Sequence, residues 1–463
     1  GDHRDLHSFP TRRLFRSSVG QSRGLIIPWS QVQILPGLFY YILNMSENNN
    51  TIIICDFDGK IKVFDKNAEI LFGYLQENVI EKKRIFNLLH PDFILSFANK
   101  FKSFLKKNDI EFKQQVVYLK SDNVNFFGNL TLQRTTNGSF KIVIEKINDT
   151  CILHNKSSIF SKINFILRSK FVIGSLVPFF FSIVWSIYRF HIINYKLAFF
   201  VFISLCLLHT CANTFNDYFD WKSGRDKNNL DYVLFSTGGS RAIDFKFVSE
   251  KQMLYISIVC LILVVVLGIY FIYLSGWMIC LIGLCAIFSV YFYSAPPVHL
   301  ASRYGLGELM HVICLGPLIV AGSTLIISNE NISFIDFLIG LPFGLLITGC
   351  LLINEYPDSK FDKIAGKINL AVILGEKYIP YMYIFLQFLS FIIIFIGIYL
   401  FNLPLFLLFV LLMIPYSINT AKTILSIKNN RNFVTQACVK SFYLYIYFSL
   451  ILTTSLLLYI TLT

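Results

Sequence analysis

Residues 196–226 read KLAFFVFISLCLLHTCANTFNDYFDWKSGRD. The first part, 196–215, holds no carboxylate, whereas the eleven residues that follow hold Asp217, Asp220 and Asp226 with Lys222 and Arg225. About twenty apolar residues cross the roughly 30 Å hydrocarbon core of a bilayer as a helix. The stretch therefore predicts a transmembrane helix that ends in an acidic cluster. Spacings of three and four put Asn213, Asn216, Asp217 and Asp220 on adjoining faces of that helix end. Four oxygen-bearing side chains converge there.

The pattern recurs. After a second apolar run, residues 354–367 read NEYPDSKFDKIAGK, with Asn354, Asp358 and Asp362 at intervals of four. Carboxylates this close raise one another's pKa unless a cation sits between them. A hard divalent ion resolves the repulsion, and Mg²⁺ is typically held by one or two carboxylates plus substrate phosphates. The apolar spans supply no phosphate, so a substrate must. The interleaved bases Lys222, Arg225, Arg241, Arg303, Lys360 and Lys367 are candidates to hold a diphosphate that bridges the two metal sites. Solvated surface ion pairs are the plainer reading of either cluster alone; two clusters of matching form, after parallel positions in the helix series, argue against it.

The whole chain agrees with a membrane setting. Its 463 residues are 55% hydrophobic and 15% charged, against about 25% charged in soluble domains. Nine apolar runs are predicted to span, near 171–189, 196–215, 253–273, 276–293, 308–328, 334–354, 379–401, 403–422 and 439–461. Lys and Arg concentrate before the first run and in alternate loops, while the opposite loops hold little beyond Arg189 and Lys196. By the positive-inside rule the N-terminal region and both acidic clusters face the cytoplasm, with the C-terminus outside. The net charge of +13 then marks cytoplasmic loops, not nucleic-acid binding. The ten Cys lie mostly in apolar runs and read as small apolar fillers. His209 and His311, inside the predicted spans, read first as helix-to-helix hydrogen-bonding groups and second as catalytic ones. Charges clustered at span ends, not at the midplane, separate the chain from a transporter, and no hydrolase or nucleotide-binding motif is present.

Residues 1–44 carry neither periodicity, and the expectation is a non-native or disordered leader with translation beginning at Met45. Residues 45–150 read as a small α+β domain, followed by a linker over 151–168 and the membrane domain over 169–463. TIIICDFDGKIKVF gives two strands around Asp58-Gly59, NAEILFGY a short helix ended by Gly73, and VVYL, FFGNLTLQR and SFKIVIEKI three later strands. Through Asp56, Asp58-Gly59-Lys60-Ile61, Asn67-Ala68, Leu71-Phe72-Gly73-Tyr74 and His90-Pro91-Asp92 this region resembles a PAS domain. The resemblance assigns it no ligand or protein partner, and His90 reads as a loop residue.

From about residue 165 the chain resembles the UbiA superfamily of intramembrane prenyltransferases, an all-α fold of nine transmembrane helices. Beside the two acidic motifs stand Thr237-Gly238-Gly239-Ser240-Arg241, Tyr293-Ser294-Ala-Pro296-Pro297, Gly305-Leu-Gly307-Glu308, Gly316-Pro317-Leu and Gly366-Lys367-x-Asn369-Leu370. These look most like the 1,4-dihydroxy-2-naphthoate branch of menaquinone biosynthesis. Thr-Gly-Gly-Ser-Arg replaces the Thr-x-x-Arg-Pro of the 4-hydroxybenzoate and haem O branches. The second motif departs from that branch in having Asn-Glu-Tyr-Pro-Asp.

The resemblance implies a membrane-bound transfer of a polyprenyl group from an allylic diphosphate to an aromatic acceptor. It implies Mg²⁺ on Asn216, Asp217, Asp220 and Asp358, with Asp226, Asn354 and Asp362 as further ligands. Asp217, Asp220, Asp358 and Asp362 would act in leaving-group departure, and Tyr293 would steady the allylic cation through its ring face. Asn213, Lys222, Arg225, Arg241, Arg303 and Lys367 would contact the diphosphate. The non-enzymatic competitor is a PAS-linked membrane sensor that binds a quinone or lipid.

Overall fold

The computed structural model describes residues 51–107, 109–135, 139–147, 156–228, 239–364, 366–427 and 433–463. The expected leader over 1–44 lies outside the described residues, as do Thr237 and Gly238.

The N-terminal domain starts with the expected hairpin, β1 (Thr51–Cys55) and β2 (Ile61–Phe64), in register Ile53 with Phe64 and Ile54 with Val63. Asp56 closes its turn by accepting from the backbone N–H groups of Asp58 and Lys60 at 3.0 and 2.9 Å. Helix α1 (Lys66–Phe72) is capped by Asp65, which accepts from the Ala68 N–H at 2.6 Å and from the Ile52 N–H of β1 at 2.8 Å. One carboxylate thus starts the helix and fixes it to the sheet. Helix α2 (Pro91–Lys107) is an element the sequence reading passed over; its Ile94, Phe97, Ala98, Phe101 and Phe104 recur at helical spacing and are buried. Strands β3 (Glu111–Leu119), β4 (Asn125–Arg134) and β5 (Phe140–Ile147) complete an antiparallel sheet of order β2-β1-β5-β4-β3. The core between α2 and the sheet is aromatic, with Phe86, Phe97, Phe101 and Phe140 in ring contacts of 5.5 to 5.9 Å.

A linker helix, α3 (Ile159–Ile166), leads to the membrane helices α4 (Ser169–Phe190), α5 (Tyr195–Lys222), α6 (Glu250–Ser275), α7 (Trp277–Phe292), α8 (Leu306–Ser328), α9 (Phe334–Glu355), α10 (Leu370–Phe401), α11 (Leu405–Ser426) and α12 (Phe433–Leu462). Each coincides with a predicted span. Eight are long and apolar enough to cross a bilayer; the remaining one, α7, has 16 residues, or about 24 Å at 1.5 Å per residue. A Cβ on Gly344 would stand 2.0 Å from the Val312 carbonyl, and one on Gly316 would stand 2.4 Å from that of Gly340. Helices α8 and α9 therefore meet backbone to backbone, which only glycine permits. At the end away from the acidic motifs, fully buried Asp336 accepts from Trp185 Nε1 at 2.7 Å and from Arg189 Nε at 3.4 Å, tying α4 to α9. This accounts for a lone Arg in a loop set otherwise nearly free of basic residues.

The two domains share packing. Phe245, in the loop between α5 and α6, is 2% exposed and belongs to the N-terminal core. Asn87 Nδ2 donates to Asp244 at 3.3 Å, and Lys246 Nζ donates to Asn123 at 2.9 Å. The linker is also held down, since Lys156 and Lys162 both pair with Asp92 of α2. Truncating a buried Phe costs about 3–5 kcal/mol, so Phe245→Ala is expected to free the loop from the domain. Backbone hydrogen exchange over residues 239–249 should then rise well above wild type; exchange at the wild-type rate would show that this packing does not anchor the loop.

Candidate active site

Helix α5 continues two turns past its predicted end, so the first motif rides on a rigid helix. Asn213, Asn216 and Asp220, at i, i+3 and i+7, face a cavity of about 410 Å³, and Asp217 turns toward the protein beside it. Gly224, at φ +81°, reverses the chain, and a single turn over Arg225–Asn228 returns Arg225 and Asp226 to the same cavity. From the other side come Asn354 at the end of α9, Asp358 and Asp362, with the Asp362 N–H donating to the Asp358 carbonyl at 2.8 Å, and Lys367. Tyr293 lines the cavity from the end of α7. The two acidic motifs face one space.

Each half carries its own countercharge. Arg225 pairs with Asp220 at 3.0 Å and reaches His299 Nδ1 at 3.1 Å. Asn216 Nδ2 donates to Ser294 Oγ at 2.7 Å and to Asp220 at 3.3 Å. Lys367 pairs with Asp362 at 2.9 Å and with Glu355 at 3.7 Å, while Asn369 Nδ2 donates to Asp362 at 3.3 Å. Burial alone would push the Lys367 ammonium down, but Asp362, Glu355 and Asp220 outweigh it and hold its pKa well above the ordinary value. Burial pushes Asp226 well above the usual carboxylate range, against the pull of Arg241.

Asp217 is 3% exposed. Its Oδ1 accepts from the Ser240 N–H at 3.1 Å and from Arg168 at 3.5 Å, and its Oδ2 has no hydrogen-bond partner among the described residues. Gly239, at φ +76°, lies against it: a Cβ there would stand 3.0 Å from Asp217 Oδ1 and 3.3 Å from Asp226 Oδ2. Among the described residues no three acidic, His or Cys side chains are gathered into a metal cage. Yet the donors are hard oxygens, one of them a buried carboxylate oxygen without a partner. Such a set fits a cation that keeps waters and takes phosphate oxygens, as Mg²⁺ does.

Several expected contacts are placed elsewhere. Lys222 donates to Tyr218 one turn back at 3.2 Å, because i and i+4 side chains on a helix meet. Arg303 donates to the carbonyls of Val298 at 2.8 Å and Pro297 at 3.2 Å and so braces the loop after Tyr293. Lys360 pairs with Glu376 at 2.9 Å. Arg241 is buried behind Asp226, to whose carbonyl it donates. Conversely, Arg168 and Glu355 line the cavity without having been singled out for it. Arg168 reads in sequence as one more juxtamembrane base; only the fold carries it to Asp217.

Gly239→Ala puts a methyl group between two carboxylates and strains the backbone. Groups that support a metal ligand typically contribute 10–100-fold in affinity. Calorimetric titration of the variant with Mg²⁺ should therefore show binding weakened by about tenfold or more; wild-type affinity would disconnect Gly239 from the site.

Residues 175–460 match the model of the UbiA prenyltransferase family. Among curated proteins, the 1,4-dihydroxy-2-naphthoate octaprenyltransferase of Bacillus subtilis (strain 168) is 30% identical over 182 residues, 39% of this chain and 56% of that protein. The UbiA prenyltransferase domain-containing protein 1 of Dictyostelium discoideum is 35% identical over 120 residues, 25% of this chain and 36% of that protein. The chain thus spans about half or less of the length of these relatives. A solved UbiA homolog from Archaeoglobus fulgidus, bound to DMAPP and Mg²⁺, aligns with 63% of this chain and 99% of its own at 15% identity and a TM-score of 0.45. With the family model covering well over half of its residues, the chain belongs to the UbiA prenyltransferase family.

Proposed function

We propose that the protein transfers a polyprenyl group from an allylic diphosphate to an aromatic acceptor within the membrane, and that the acceptor is 1,4-dihydroxy-2-naphthoate. The observation that carries this reading is the convergence of both acidic motifs on one cavity that is charged at one end and apolar below. The naphthoate branch is supported by the Gly239-Ser240-Arg241 segment against Asp217 and Asp226 and by the Bacillus subtilis relative.

Asn216, Asp217, Asp220 and Asp226 on one side, and Asn354, Asp358 and Asp362 on the other, are the residues that would hold Mg²⁺. When bound, the ion supplies neutralisation of the leaving diphosphate's charge. Arg168, Arg225 and Lys367, all on the cavity wall, add fixed positive charge where the leaving group's negative charge grows. Tyr293 offers its ring face to the allylic cation. Val201, Leu205, Leu208, Val264, Phe271 and Leu315 form an apolar wall beneath; it accommodates the prenyl chain and keeps water from the cation. The protein resides in the cell membrane as a multi-pass protein with the acidic ends and the N-terminal domain on the cytoplasmic side, as the basic loops indicate.

A prenyl-transfer assay on membranes tests the reading. Asp217→Ala and Asp358→Ala are each expected to lose at least about a hundredfold in turnover, the scale seen when a principal electrostatic group is removed. Equal product from the wild type and both variants would overturn it and favour a sensor.

A further inference from the structure

We propose that His209 and His311 form the site that recognises an oxygen of the aromatic acceptor, each through its Nε2 atom; the inference rests on the prenyl-transfer reading above. Both side chains line the cavity, His209 from α5 and His311 from α8. His209 precedes Asn213 by four residues and Asn216 by seven, so it shares their face, roughly 6 and 10 Å deeper along the helix.

The rings are held from behind. His209 Nδ1 is 2.6 Å from Ser175 Oγ on α4, and His311 Nδ1 is 2.9 Å from Thr348 Oγ1 on α9. Four helices thus orient two imidazoles. In both, Nε2 has no hydrogen-bond partner among the described residues. Whichever way each hydrogen bond runs, the ring keeps a second nitrogen, Nε2, free to donate or accept on a side chain that lines the cavity.

The surroundings decide what such a nitrogen meets. Leu205, Leu208, Leu315 and Phe271 share that wall, and a polar ring nitrogen among them costs free energy unless it is partnered. A prenyl chain has no oxygen to offer. An aromatic ring hydroxyl does. Depth gives the same answer, because an acceptor ring carbon must come within about 3–3.5 Å of the allylic carbon. That carbon is bonded to the diphosphate, which the motifs hold at the cavity's charged end. The acceptor therefore belongs one to two helical turns below the motifs, at the level of these rings.

The test is steady-state prenyl transfer by the full chain in detergent, with geranyl diphosphate as donor. Acceptors are 1,4-dihydroxy-2-naphthoate and its two analogues that lack one ring hydroxyl. His209→Leu and His311→Leu are expected to raise the KM for 1,4-dihydroxy-2-naphthoate about tenfold or more, with the KM for geranyl diphosphate within twofold of wild type. His→Gln variants, which keep a donor, should recover part of the loss. With the analogue lacking the recognised oxygen, wild type and leucine variant should converge. An unchanged acceptor KM, parallel changes in both KM values, or undiminished discrimination against both analogues would overturn the assignment. Should a leucine variant fail to fold, equilibrium binding of the naphthoate to the folded glutamine variant decides between the same two outcomes: weakened binding supports the assignment, and wild-type binding overturns it. A wild type that transfers to no aromatic acceptor removes both readings; wild-type turnover with an unmoved acceptor KM removes only this one.

Discussion

A carboxylate buried where an apolar helix ends must be matched by charge or hydrogen bonds, or it will not stay ionised. Asp217 is that group here, and the means of matching it organise the surrounding structure. Arg168 reaches it from the linker just before α4, and the Ser240 N–H reaches it from the loop between α5 and α6. Gly239 leaves the room in which its second oxygen stays unpartnered. That oxygen keeps its lone pairs open to a cation.

The same two tethers lead to the N-terminal domain. The linker that delivers Arg168 is tied to α2 through Asp92, and the loop that delivers Ser240 ends in Phe245, a member of the domain's own core. Displacing the sheet by even a side chain's width would leave a cavity around Phe245 or drag the loop with it, because packed interiors do not deform continuously. The position of the domain and the surroundings of Asp217 are therefore not independent quantities.

Much of this was legible in the residues, for identifiable reasons. Apolar runs and their polar ends report helices directly, because a bilayer imposes length and composition. Spacing along one helix placed Asn213, Asn216, Asp217 and Asp220 on adjoining faces; Asn213, Asn216 and Asp220 line one cavity with the second motif, while Asp217 turns aside. Contacts between distant segments were not legible: Arg168, Glu355 and the burial of Phe245 depend on helix packing that no local pattern encodes. For Lys222 and Arg303 no local pattern decides, since a base near an acidic motif looks the same whether it faces the cavity or its own helix or loop. Helix α2, by contrast, is encoded locally by its regular apolar spacing.

The cavity's two polar levels also constrain each other. The upper level holds more acids than bases, so a diphosphate entering alone would meet Asp220, Asp226, Glu355, Asp358 and Asp362 against Arg168, Arg225 and Lys367. On the proposed reading a cation must offset these acids for the anionic ligand to be held. The lower level carries two imidazoles and a few serine hydroxyls amid leucine and phenylalanine, which tolerate a planar, weakly polar ring but not a second diphosphate. On the proposed reading this asymmetry separates two tasks: charge is settled at the mouth of the site, and the ring to be alkylated is sorted by shape and by one or two hydrogen bonds beneath it. A site with both tasks at one depth would have to choose between holding the leaving group and admitting the nucleophile.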